Sequence, residues 1–225
     1  MTENNAPTLM SIAVLGGTGK EGSGLAMRWA LNGYRVIIGS RSEEKAVTRA
    51  AELNEALGGD YLIGMANVDA AREAAIVVLS VPYSAHKVTL DGVKDHLAGK
   101  VLVDLTVPLN PPHVDTVFVP EGKSAALEAQ AYLGDDVRVV AAFQNVSAAK
   151  LKDPQAIVAC DVLVCGDDAD AKADVIRLAE AAGMRGIDAG PLANAVAVEA
   201  LTPVLIYINK TYKVKGAGIH ITGIE

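Results

Sequence analysis

Met10-Ser11-Ile12-Ala13-Val14-Leu15, followed by Gly16-Gly17-Thr18-Gly19-Lys20-Glu21-Gly22, is an apolar run, a glycine turn and the start of an amphipathic segment. A strand, turn and helix in that order form the cradle for the pyrophosphate of a dinucleotide. Gly17 supplies the tight turn, Gly19 the close approach of backbone to phosphate and Gly22 the close packing of helix on strand, while Gly16 loosens the turn further. Free N–H groups of the first helical turn face the anion. A Walker-type phosphate loop is excluded, because Gly19-Lys20 is followed by Glu21 instead of Ser or Thr and Val14 replaces the leading Gly.

The next apolar run, Tyr34-Arg35-Val36-Ile37-Ile38-Gly39, ends in Ser40-Arg41-Ser42. An NAD site places Asp or Glu at that strand end, against the ribose 2′-hydroxyl. The acid is missing here. The guanidinium of Arg41 can take a 2′-phosphate through parallel charge-assisted hydrogen bonds, Ser40 adds a hydroxyl, and Lys45 lies one helical turn beyond Arg41. NADP is therefore the expected nucleotide.

A chain of 225 residues, 51% of them hydrophobic, can bury a sizeable core without staples. Lys+Arg 20 against Asp+Glu 27 gives a net charge of -7 with no basic block, which excludes an extended nucleic-acid surface. Cys160 and Cys165 are too few for a disulfide scaffold and have no zinc-site spacing, so they read as reduced, buried thiols. His86, His96, His113 and His220 show no paired ligand spacing, and no metal site is expected. Residues 1–5 are polar and acidic, unlike a secretion signal, and the most apolar stretch, 192–208, is interrupted by Asn194, Glu199, Thr202 and Pro203. The expectation is a cytoplasmic protein with no membrane contact.

Helical and strand-like segments alternate after the glycine turn, which predicts an α/β fold: a Rossmann-type, doubly wound, mostly parallel sheet. Helices are expected over 20–32, from a Ser42 cap to about 57, from Asn67, and over 84–97. Strands are expected over 61–65, 75–81, 100–105 and 138–142, with a proline-rich connection over 107–122. Residues 1–149 would then be the NADP-binding domain. Residues 150–225 read as a small α/β cap, with strands at 161–166 and 184–187, a helix capped by Asp168 or Asp170 and a long helix over 192–210. A unit that small packs on the first domain and on a second subunit. The closing segment, 216–222, is either a final strand or a loop over the cleft.

Gly16-Gly17-Thr18-Gly19, Gly39-Ser40-Arg41, Gly64-Met65, Val81-Pro82-Tyr83 and Val164-Cys165-Gly166-Asp167-Asp168 occur in that order. Asp188-Ala189-Gly190-Pro191-Leu192-Ala193-Asn194 follows, and then Val198-Glu199-Ala200-Leu201-Thr202-Pro203. Together they resemble the NADPH-dependent reductases of the deazaflavin coenzyme F420, over nearly the whole chain. The resemblance implies hydride transfer between NADP(H) and F420, with the deazaflavin in a cleft between nucleotide domain and cap, and a homodimer. Carried over motif by motif, it implies pyrophosphate contacts at Thr18, Gly19, Lys20 and Glu21 and 2′-phosphate contacts at Ser40, Arg41 and Lys45. Val81, Ala85, Val107 and Ala148 would follow the nicotinamide half. Members of the family often carry a His near the end of the sixth strand, where this chain has Phe143-Gln144-Asn145, and Ala85 also sits where a His can occur. Both departures bear on the second substrate and leave NADP untouched.

Nicotinamide and deazaflavin both carry two electrons as hydride, so the transfer needs no covalent intermediate and no side-chain acid or base of fixed identity; no catalytic residue is expected. Placement and exclusion of water are the tasks left to the chain. An NADPH-dependent reductase of a small carbonyl or imine would instead need a proton donor, for which Tyr207 and Lys210 on the last helix are candidates. A non-catalytic NADP-sensing module is a third reading. Asn194, Glu199 and Thr202 fit capping and subunit packing as well as contact with a second substrate.

Overall fold

Ile12–Leu15 form β1, and all four side chains are fully buried because helices cover both faces of the strand. The structure, a computed structural model, describes residues 10–224; residues 1–5, read above for a secretion signal, lie outside them. Around β1 stand β2 (Val36–Ser40), β3 (Leu62–Ala66), β4 (Ile76–Leu79), β5 (Val101–Asp104) and β6 (Arg138–Ala141), all parallel. β7 (Val162–Gly166) joins β6 antiparallel, with Val140 opposite Gly166, and β8 (Gly186–Asp188) runs parallel to β7. The order β3-β2-β1-β4-β5-β6-β7-β8 reverses direction of growth between β1 and β4, and the crevice at that point is where such sheets bind ligands.

The helices are α1 (Lys20–Leu31), α2 (Glu43–Leu57), α3 (Asn67–Glu73), α4 (Tyr83–Val93), α5 (Ala125–Leu133), α6 (Ala169–Ala181) and α7 (Ala195–Tyr212). Ser42 caps α2 by accepting from the Lys45 N–H, and Gly58 ends it in the left-handed region at φ 73°. Asp168, not Asp170, caps α6 through the Ala171 N–H at 2.7 Å.

Several boundaries differ from the sequence reading for local reasons. The third strand begins at Leu62 because Asn54 Oδ1 accepts from the N–H groups of both Tyr61 and Leu62 and keeps Tyr61 in the turn after α2. α4 stops at Val93 and tightens into a 3₁₀ turn, Lys94–His96, and the last helix likewise opens with a 3₁₀ turn at Leu192–Asn194. α5, which the sequence reading did not assign, starts where Ser124 caps it through the Leu127 N–H. Residues 216–222 form no strand and do not line the cleft. They lie along Asp161, which donates its N–H to the Ile219 carbonyl and accepts from the Ile221 N–H, while Arg185 bonds both Asp161 and the Ile221 carbonyl.

Beyond residue 150 the chain is fastened to α1 by one buried cation. Arg28, 2% exposed, donates to the carbonyls of Asp153 (2.6 Å), Ala182 (2.8 Å) and Ala156 (2.9 Å). Next to it the Trp29 indole donates to the Leu178 carbonyl and meets Phe143 edge-on at 5.9 Å. The stretch Leu192–Tyr212 is long and apolar enough to cross a membrane by length and composition alone. Two of its polar groups, Glu199 and Thr202, are nevertheless bound within the fold. Glu199 accepts from the N–H groups of Ala125 (2.8 Å) and Ala126 (3.1 Å), the first turn of α5. Burial pushes its carboxyl up to about 8, against the pull of those two donors. Glu199→Ala leaves two buried N–H groups without partners, and we expect a loss of about 2–4 kcal/mol in denaturant unfolding. A loss under about 0.5 kcal/mol would mean that α5 does not depend on this cap.

Candidate functional site

Gly16 has φ +75°, and a Cβ on it would lie 2.4 Å from the Ser80 carbonyl oxygen and 2.7 Å from a Val81 methyl carbon. The left-handed residue of the turn is therefore Gly16, which the sequence reading made secondary to Gly17. Gly17 is needed for a different reason, since its Cβ would meet the Val14 carbonyl oxygen at 2.7 Å. A Cβ on Gly22 would press on Gly17 Cα at 3.0 Å, the helix-on-strand packing expected of it. Gly19 is the N-cap of α1 and brings no side chain to the end of the helix, so the first-turn N–H groups stay open to an anion. Ser23 braces the loop, donating to the Gly17 carbonyl at 2.7 Å and accepting from Arg49 Nε at 3.1 Å.

Two cavities meet at this turn and share Gly19, Ser80, Val81 and Pro82, so that together they make one bent trough across the switch point. The first, about 320 Å³, is lined by Thr18, Ser40, Arg41, Ser42 and Lys45, with Asn67, Ala85 and Thr89 opposite. Ser40 is nearly buried and its Oγ accepts from the Ser42 N–H, while Arg41 and Lys45 are exposed cations; no carboxylate lines this lobe. The second, about 390 Å³, is walled by Lys20, Glu21, Leu105, Val107, Leu109, Gln144, Val146 and Thr202. The residues present fit a dinucleotide phosphate, because the N-terminus of α1 carries no side-chain cap and opens on the trough between Thr18 and Lys20. A larger groove, about 640 Å³, runs between α2 and the edge strand β3, outside the switch point.

Beneath the second lobe lies a chain of buried polar groups. Asp104, fully buried at the end of β5, accepts from the Thr106 N–H at 2.9 Å and stands 2.7 Å from His86 Nε2. Burial works to lower the His86 pKa, but the hydrogen bond and charge of Asp104, with Glu128 and Glu199 nearby, outweigh it and hold the imidazole above its ordinary value. The Asp104 carbonyl accepts from Gln144 Nε2 at 2.7 Å, and the Gln144 carbonyl accepts from the Thr202 hydroxyl at 2.6 Å. Phe143, just before, is fully buried and in the left-handed region at φ 73°. Glu21 is half-buried in the cleft wall, and burial pushes its carboxyl up to about 8.

The structure thus brings Gly17, Thr18, Gly19, Lys20, Glu21, Ser40, Arg41, Lys45, Val81 and Val107 to one trough or its floor. Ala85 faces the lobe of Ser40 and Arg41 rather than the other half, where the resemblance put it, because it lies in the first turn of α4 beside Pro82. Ala148 sits in a half-buried turn past Val146 and does not line either lobe. Tyr207 is 58% exposed on α7 and Lys210 pairs with Asp115 at 2.6 Å; neither lines the cleft. Asn194 turns its amide onto the Ala189 carbonyl, and Thr202 alone of the three polar α7 candidates reaches the cleft. Gln144 lines the cleft, at the position past the sixth strand that the resemblance singled out, while sequence reasoning missed Asn67, Thr89, Leu105, Leu109 and Val146 as lining residues. All but Thr89, which lies within α4, share one signal: a place in the segment that follows a strand's carboxyl end, where open sheets collect their ligand contacts.

Residues 11–108 match the family model described as NADP oxidoreductase coenzyme F420-dependent. The F420-dependent NADP reductase of Methanocaldococcus jannaschii is 44% identical over 225 residues, covering 96% of this chain and 100% of that protein. The protein of the same name from Methanothermobacter marburgensis is 45% identical over 223 residues, with 96% and 99% covered. Among solved structures, a Sinorhizobium meliloti protein superposes with a TM-score of 0.69 at 24% identity, over 82% of this chain and 87% of that one. An NADP-bound pyrroline carboxylate reductase from Plasmodium falciparum gives 0.59 at 15%, over 92% and 68%. These two share the fold. With relatives this similar along its whole length, the chain belongs to the family of F420-dependent NADP reductases.

Proposed function

We propose that this chain transfers hydride between NADP(H) and the deazaflavin coenzyme F420, holding both in the bent trough. The observation that carries this reading is the trough itself. Its two lobes meet at the glycine turn, one furnished with cations and hydroxyls and the other walled largely by apolar groups. When bound, the two carriers supply the two-electron chemistry, from C4 of one ring to C5 of the other. Thr18, Gly19, Lys20 and Glu21 serve the pyrophosphate through the open end of α1, and Ser40, Arg41 and Lys45 serve the 2′-phosphate. Val81, Leu105, Val107 and Val146 exclude water from the reacting end, while Thr202 and the Asp104 carbonyl fix Gln144 in its floor.

Residues 1–149 act in this reading as the nucleotide domain and residues 150–225 as the unit that walls the cleft and packs on a second copy. The apolar side of α7 supports that packing, since Val204, Tyr207 and Tyr212 are exposed there. The free, buried Cys160 and Cys165 fit a reducing cytoplasm.

Mixed with NADPH and oxidised F420, the protein is expected to bleach the visible absorbance of F420 as NADPH is consumed; absence of bleaching across pH 5–9 would reject the reading. Arg41→Ala should lose about 1.5–3 kcal/mol of NADP affinity by calorimetry and leave NAD affinity little changed, whereas equal loss for both would assign Arg41 to folding. Below about 8 the Glu21 carboxyl is neutral, and above it a carboxylate faces the pyrophosphate. NADP affinity should therefore fall as pH rises through that value, and Glu21→Gln should flatten the profile; an unchanged profile in the variant would remove Glu21 from the site.

A further inference from the structure

Asn67 is the first residue past β3, one step beyond the last pair of the β2–β3 ladder, Ser40 with Ala66. It is 9% exposed and lines the lobe that holds Arg41 and Lys45. Its Oδ1 is buried and has no hydrogen-bond partner. A Cβ on Gly39 would come within 2.8 Å of that oxygen, so the amide lies over a glycine that leaves room for it. Of the neighbouring hydroxyls, Thr89 donates its hydrogen bond to the Ala85 carbonyl at 2.7 Å, and Ser40 Oγ, which accepts from the Ser42 N–H, makes no bond to the Asn67 amide. A buried acceptor left unpaired costs about as much as a lost hydrogen bond, which makes it a marker for a ligand that brings a donor.

A phosphate brings none. The cations Arg41 and Lys45 already supply what a 2′-phosphate needs, and an amide offers something different: one acceptor and a pair of donors in one plane. That pattern matches the edge of adenine, where a 6-amino group donates next to a ring nitrogen that accepts, and Asn pairs with that edge through two hydrogen bonds. Pro82, Ala85 and Thr89 give the same lobe a neutral wall on which a flat base can rest.

We infer that Asn67 reads the adenine of NADP through its side-chain amide, a recognition separate from the 2′-phosphate contacts of Arg41. The inference rests on the nucleotide reading above. It is tested by calorimetry with 2′,5′-ADP and with the purine riboside 2′,5′-bisphosphate that lacks the 6-amino group. The unaltered protein should bind the desamino analogue roughly 10-fold more weakly, and Asn67→Ala should weaken 2′,5′-ADP by a similar factor. In the variant the two losses should not add, because both remove one interaction. Asn67→Ser serves as the second variant if Ala disturbs the start of α3. Equal binding of the two ligands by the unaltered protein, or additive losses in the variant, would overturn the inference. Failure of the unaltered protein to bind 2′,5′-ADP at all would instead overturn the nucleotide reading.

Discussion

The contact of Gly16 with the Ser80 carbonyl constrains everything at the switch point. A left-handed residue with no side chain lets the end of β1 lie against the end of β4, and that approach closes the turn that aims the first N–H groups of α1. Gly19, Ser80, Val81 and Pro82 become the common border of both lobes for the same reason. Any Cβ at residue 16 would have to push the two strand ends apart, and the lobes would no longer form one trough.

The second half of the chain supplies the floor and far wall. β7 and β8 extend the sheet, but side-chain bonds to backbone hold the pieces together: Arg28 on carbonyls between Lys150 and Ala182, Trp29 on Leu178, Glu199 on the start of α5. Phe143 occupies a backbone conformation that costs a non-glycine residue about 1–3 kcal/mol. Full burial against Trp29 offsets that cost, and the result is that Gln144 enters the cleft floor with its backbone tied to Thr202 and its side chain to β5. A hydride donor and acceptor need to be held within a narrow distance of each other, and a floor fixed from both ends serves that need.

Much of this was legible in the sequence because it depends on local chemistry. Apolar runs of four to seven residues marked the buried parallel strands, Ser42 and Gly58 marked α2, and Ser40-Arg41 with Lys45 share one lobe as their spacing implied. What the sequence hid depends on tertiary contact. The left-handed role of Gly16 follows from Ser80, sixty-four residues away, and the burial of Glu199 from an α5 terminus that only the fold brings near. Tyr207 was credible as a proton donor until α7 proved to turn that face outward. Asn67 gave no signal by composition and is marked only by its place past β3, whereas Gln144 stood out through the His that the resemblance expects near the end of the sixth strand.

Direct passage of hydride between the two carriers in one closed cleft is most plainly tested with NADPH carrying deuterium at C4. With oxidised F420 in ordinary water, nuclear magnetic resonance of the reduced deazaflavin should find the deuterium at C5 when either face of the labelled nicotinamide, but not the other, carries it. Deuterium lost to solvent from both faces, or a product labelled only when the water is deuterated, would contradict a shared cleft.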